Sequence, residues 1–219
     1  RALEHLLLHH EIVAEGLLED VHRVERGNSR METVTGATVS LTFERASELK
    51  HEFLAGQVFA MTGASKAHNL ISGSTYVTLY NQLRGRPCNL FPSDMRVKVT
   101  ATGLHTYPDL SVVCGEAQFS DDEFDTLLNP TVIIEVLSPS TERYDRGKKF
   151  ASYRELPSLQ EYVLVSQYDP HIEHYIRSGN TWALSDTIGL ESAVALPTIG
   201  CMLKLADVYE KVVFVQEEE

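Results

Sequence analysis

From Thr131 to Leu137 the chain reads Thr-Val-Ile-Ile-Glu-Val-Leu, a run whose interior is aliphatic at every position but one. A run without polar alternation reads as an interior strand covered on both faces. Before it, strands are expected near 88–91, 95–99 and 110–114; after it, near 161–166, 171–177 and 181–184. Helical spacing is found over 3–26, where Leu3, Leu6, Leu7, Leu17, Leu18 and Val21 recur before Arg-Gly-Asn-Ser ends the segment. A second helix is expected over 43–54, leading through Gly56 into a strand at 57–61. The longest, 64–84, places Leu70, Val77, Tyr80 and Leu83 on one face, with Ser72-Gly73-Ser74 as its point of close packing. A helix over about 145–155 and a short one within 203–214 complete the pattern. Strands alternating with helices predict an α/β domain over residues 31–219, preceded by an N-terminal helical extension over 1–30.

Glu135 breaks the aliphatic run. A carboxylate in that position costs several kcal/mol, in rough terms, unless a partner offsets its desolvation. One partner is Asp109, which stands after Pro108 and just before the strand Leu110–Cys114. Neighbouring strands would bring these two acids together, and a divalent cation would relieve their repulsion. All-oxygen ligation of this kind suits Mg²⁺ or Mn²⁺ rather than zinc. Lys149 would orient or deprotonate a water, or counter the charge of a phosphate. Asp145 would cap or open its helix, and Tyr153 lies one turn beyond Lys149 on the same face.

Taken singly, each residue has a plainer reading. Pro-Asp before a strand is ordinary turn chemistry. Glu135 could pair with a lysine or arginine as a buried ion pair. Lys149, beside Lys148, could belong to a solvated helix face. The Ser-Pro-Ser-Thr stretch at 138–141 could simply cap the following helix. Only the combination points to chemistry.

Composition narrows the picture. The chain has 219 residues and a formal net charge of −12, which argues against a general nucleic-acid coat protein. The distribution of charge is uneven, however. Residues 66–98 carry five lysines and arginines against one acid, and 142–155 carry five against three; 116–126 hold five acids and no base. Basic charge therefore gathers around the segments of interest and permits a polyanionic partner. No apolar run approaches the ~20 residues of a membrane helix, so no membrane association is expected. The start, rich in histidine and acids, does not read as a secretory signal. Three widely spaced cysteines, Cys88, Cys114 and Cys201, predict neither a disulfide nor a zinc knuckle, which makes the reducing cytoplasm the expected compartment.

The segments Tyr107–Val113, Pro130–Thr141, Asp145–Tyr153 and Glu161–Val165, with Lys50–Asn69 ahead of them, resemble the Uma-type restriction endonuclease family of the PD-(D/E)xK nuclease superfamily. The resemblance runs from about Phe43 to Phe214. It implies a restriction-endonuclease-like fold, a central mixed sheet flanked by helices, with the site at one sheet edge. It implies Asp109 and Glu135 as metal ligands and adds Glu52 as a third carboxylate. One departure stands out: Leu137, not lysine, lies two residues after Glu135. The nuclease lysine must come from elsewhere, and Lys149 matches the position from which this family supplies it. His68 also matches a family position, and Ser138 either hydrogen-bonds the site or opens the turn.

The resulting expectation is a Mg²⁺- or Mn²⁺-dependent endonuclease hydrolysing phosphodiester bonds, with DNA as substrate. Asp109, Glu135 and Lys149 would be catalytic, Glu52 would complete the metal ligands, and His68, Ser138 and Tyr153 would support them. A homodimer would suit cutting both strands of a duplex. The alternatives are a catalytically inactive nucleic-acid-binding relative, or a protein-interaction domain on the same fold.

Overall fold

A computed structural model describes residues 41, 44–54, 57–61 and 63–214. The expected helix over 3–26 and the extension over 1–30 lie outside the described residues. The chain forms two compact units, residues 1–62 and 63–219.

In the described part of the first unit, residues 44–46 are helical and the chain then becomes extended. Strand β1, His51–Leu54, pairs antiparallel with β2, Gln57–Ala60, with Glu52 opposite Phe59. The helix expected over 43–54 therefore stops early. Glu44 accepts from the His51 amide at 2.9 Å and meets its Nδ1 at 3.1 Å. The partner strand supplies a hydrogen-bond ladder, and that pairing overrides local helix propensity.

The second unit is built on a six-stranded mixed sheet in the order β11-β10-β9-β8-β6-β3. Its strands are β3 (Cys88–Pro92), β6 (Leu110–Cys114), β8 (Val132–Val136), β9 (Glu161–Val165), β10 (His171–Ser178) and β11 (Thr181–Ile188). Strands β8 and β9 run parallel, and the other neighbours are antiparallel. A parallel pair needs a crossover, and a helical stretch over residues 142–153 provides it. Every residue of β8 and β9 is buried, as the unbroken aliphatic pattern predicts.

Side chains alternate across β8, so Ile134 and Val136 join the main core while Ile133 and Glu135 face the other side. On the main-core side lies the long helix α1 (Lys66–Leu83), whose start is capped by Ser65 Oγ accepting from His68 N. On the Glu135 side, Phe150 of the crossover stacks on Tyr162 of β9 at 4.8 Å. Helices thus cover both faces of the sheet. Short strands β4 (Arg96–Val99), β5 (Leu104–Thr106) and β7 (Thr126–Leu127) form a separate ladder within the unit. The hairpin β12 (Ala193–Leu196) and β13 (Cys201–Lys204) follows later in the chain.

Several expectations shift. Helix α1 buries Ile71, Thr75, Leu79 and Leu83, whereas Val77 and Tyr80 are exposed. The buried stripe keeps strict four-residue spacing, and the threonine within it hid that stripe from a purely apolar count. A Cβ added to Gly73 would meet nothing, so Ser72-Gly73-Ser74 marks no close packing. Residues 201–204 are a strand, and Leu205–Val208 form a short helix after it. Cys88 and Cys114 form a disulfide, because antiparallel β3 and β6 place them directly opposite each other. Only Cys201 is a free thiol, and it is buried. The expectation of no disulfide is thereby corrected, and with it goes the ground for a reducing compartment. Among the described residues no helix is long and apolar enough to cross a membrane.

Candidate active site

Strands β6 and β8 are antiparallel, with Leu110 opposite Ile134. That register sets the residue before β6 beside the last turn of the pleat in β8, so Asp109 meets Glu135. Asp109 Oδ2 accepts from the Val136 amide at 2.7 Å, and the Asp109 amide lies 3.4 Å from Glu135 Oε2. From α1, His68 Nε2 comes within 2.8 Å of Asp109 Oδ1. Asp109 is thus held at both carboxylate oxygens. The site lies at the strand ends in the interior of the sheet, not along an outer strand.

The crossover delivers the rest. It is wound as α2 (Glu142–Tyr144), a π segment (Asp145–Lys149) and α3 (Phe150–Tyr153). Lys149 Nζ lies 2.9 Å from Glu135 Oε1 and 3.4 Å from Asp145 Oδ1. Tyr153 donates its hydroxyl to the same Glu135 Oε1 at 2.9 Å. Glu135 and Lys149 are 4% exposed, Asp145 2% and Tyr153 0%, so water screens this group poorly. Asp145 does not cap the helix. It lies inside the helical stretch, facing Lys149, and its i,i+4 spacing from that lysine was the signal in the sequence that it belongs to the site.

Three carboxylates and one lysine, with only Asp109 partly exposed, leave this group with surplus negative charge. Burial, above all, pushes the Glu135 carboxyl up to about 8; Lys149 opposes this, while Asp145 and Asp109 add to it. A divalent cation would relieve that surplus and displace the proton. Among the described residues no three His, Cys, Asp or Glu side chains form a metal-binding cluster. The pair Asp109 and Glu135 nonetheless fits Mg²⁺, which binds through one or two carboxylates and keeps waters or substrate phosphate oxygens as its other ligands.

One expected site residue lies apart from this constellation. Ser138 meets Ser140 and Thr141 hydroxyls at 3.1 and 2.9 Å, and accepts from the Thr141 amide. It therefore shapes the turn after β8. Glu52 is a buried residue of β1 in the first unit.

The mixed sheet with helices on both faces is the restriction-endonuclease-like fold. It is shared with a crystal structure from Anabaena variabilis ATCC 29413, described as a putative nuclease belonging to DUF820. The TM-score is 0.67 at 16% identity, covering 82% of this chain and 99% of that one. The chain belongs to the Uma2 family, described as "Putative restriction endonuclease", which matches residues 39–206. Two proteins of Synechocystis sp. (strain ATCC 27184 / PCC 6803 / Kazusa) are similar along most of their length. "Uncharacterized protein slr1290" is 35% identical over 174 residues, 80% of this chain and 90% of its own. "Uncharacterized protein sll1609" is 36% identical over 147 residues, 67% of this chain and 82% of its own. The family is thus described as one of restriction endonucleases, and the fold is restriction-endonuclease-like.

Proposed function

We propose that this protein is a divalent-metal-dependent endonuclease that hydrolyses phosphodiester bonds in DNA. The observation that carries the reading is the meeting of Asp109, Glu135 and Lys149 at one end of β6 and β8, in a group with surplus negative charge. Asp109 and Glu135 would hold Mg²⁺ or Mn²⁺. When bound, the ion would lower the pKa of a coordinated water and neutralise charge developing on the phosphate. Lys149 would orient the attacking water. The water oxygen adds to phosphorus as one ester P–O bond breaks, and the leaving alkoxide takes up a proton. Tyr153 holds Glu135 by its hydroxyl, and His68 holds Asp109. The family's description as a restriction endonuclease, together with the basic segments 66–98 and 142–155, supports DNA as the substrate.

The test is incubation with mixed single- and double-stranded DNA, with and without Mg²⁺ or Mn²⁺, beside a Glu135→Gln control. Cleavage by the wild type that needs metal and disappears in the control is the expected result. Cleavage that persists in Glu135→Gln, or no cleavage with either ion, would overturn the reading.

A further inference from the structure

The π segment places a second carboxylate beside the lysine. In an ordinary α-helix, residues four apart overshoot a full turn by about 40°. A π turn closes its hydrogen bonds over five residues and is wound wider, so the same step falls short of a full turn and the drift reverses. Asp145 and Lys149 are the two ends of that segment. Tyr153 follows after one α step, which brings the row back into line, and it points its hydroxyl at Glu135. The π winding is also pinned from the sheet, because Tyr162 of β9 donates its hydroxyl to the Asp145 main-chain oxygen at 3.1 Å.

The lysine therefore has two buried acceptors. It sits at 2.9 Å from Glu135 and 3.4 Å from Asp145, so a shift of the ammonium by a fraction of an ångström decides which it favours. Lys149 holds Glu135 by Oε1 while Oε2 faces Asp109, so a divalent cation shared with Asp109 would draw on the same carboxylate charge that holds the ammonium. A buried ammonium that loses its only carboxylate partner is strongly disfavoured. Asp145 removes that difficulty.

We infer that Asp145 is a positioning residue that serves as the second anchor of Lys149, receiving its ammonium when a divalent cation takes Glu135. Lys149 bridges the two acids and offsets part of their negative charge. With the cation present, Lys149 swings toward Asp145 and stays next to the reaction centre, where a water-orienting group is needed. The inference rests on the metal-dependent reading of the site and adds to it a task for a residue that would otherwise be an unexplained buried acid.

The test is a double-mutant cycle read by the calorimetric Kd for Mn²⁺, independent of cleavage. The variants are Asp145→Asn, Lys149→Met and their combination, with Asp145→Glu as the charge-keeping control and thermal melting to verify folding. If the inference holds, Asp145→Asn weakens Mn²⁺ binding at least 10-fold, because the ammonium stays on Glu135. In the Lys149→Met background the same change costs less than about 3-fold, and Asp145→Glu recovers most of the wild-type affinity. Equal losses in both backgrounds would overturn the inference, since Asp145 would then act on the ion without the lysine. Unchanged affinity in Asp145→Asn would overturn it as well. Should Asp145→Asn fail to fold, Asp145→Ser in the same two backgrounds gives the same comparison. A folded wild type that binds no Mn²⁺ would instead refute the metal-dependent function itself, which separates the two failures.

Discussion

Lys149 Nζ lies 2.9 Å from Glu135 Oε1, and both side chains are almost sealed from solvent. A buried lysine–carboxyl contact of this kind is weak evidence for stability, because desolvation offsets much of the attraction. Its position at the end of two core strands, beside Asp109 and Asp145, supports the proposed reactive centre.

Replacing Lys149 with methionine deletes the charge and keeps much of the aliphatic stem. Cleavage should fall by about 10² to 10⁴, the range for losing an acid–base group. Lys148 is exposed on the same turn and supplies the control. Lys148→Met should keep nearly full cleavage while weakening DNA binding in a salt-dependent way. Single-turnover rates for the two variants check this; a reversed order would assign the role to the wrong lysine.

Melting curves with and without millimolar Mg²⁺ test the ligands. An ion at a hundred times its Kd stabilises the folded state by about 2.7 kcal/mol. Asp109→Asn should lose most of the rise in Tm. An identical metal response in wild type and Asp109→Asn would remove Asp109 from the ligand set.

The raised Glu135 carboxyl makes the metal-free protein sensitive to pH. The folded state keeps this proton up to about pH 8, while the unfolded chain releases it near 4.5. Between those values the folded state binds more protons, so the contribution to stability is complete below about pH 4.5 and is lost as pH rises through 8. Denaturant midpoints measured in EDTA should therefore show wild type losing stability from pH 5 to 8 relative to Glu135→Gln, then running level above that. A difference that grows in favour of wild type with rising pH would contradict the assignment.

A chain starting at Met31 should keep its metal-induced stabilisation. Every candidate ligand lies at Glu52 or later, and the family match begins at residue 39. Loss of the Mg²⁺ response in a folded truncated protein would show that residues 1–30 help build the site.

Thiol counting distinguishes the disulfide from three free cysteines. The denatured, unreduced protein should present one reactive thiol, Cys201, and reduction should raise the number to three. Removing the cross-link with paired Cys88→Ser and Cys114→Ser changes should cost about 2–4 kcal/mol of stability, read from urea unfolding.

The reach of the sequence differs from element to element. The strand around Glu135, the turn position of Asp109 and the shared face of Lys149 and Tyr153 follow from hydrophobic continuity and helical spacing, which are local properties carried by a few adjacent residues. A lone acid within six aliphatic positions marks itself, by its neighbours in the chain alone, as needing a partner. What the partner would be was open in the sequence between a basic side chain and a metal ion. Folding supplies Lys149 directly and leaves a buried charge surplus that suits an ion.

Other features were decided only when distant segments met. The register of β3 against β6 joins Cys88 to Cys114 across 26 positions, and no spacing rule contains that register. The buried stripe of α1 runs through Thr75 because the sheet, not the helix, determines which face is covered. Residues 51–54 are extended because a partner strand lies alongside them. The widened turn at Asp145–Lys149 is held by Tyr162 from β9, so Asp145 passes from expected helix cap to buried neighbour of the lysine. By itself, then, the sequence determined which side chains must find company in the core; the packing of sheet against crossover decided who that company is, because pairing register and helix winding are set by contacts between residues far apart in the chain.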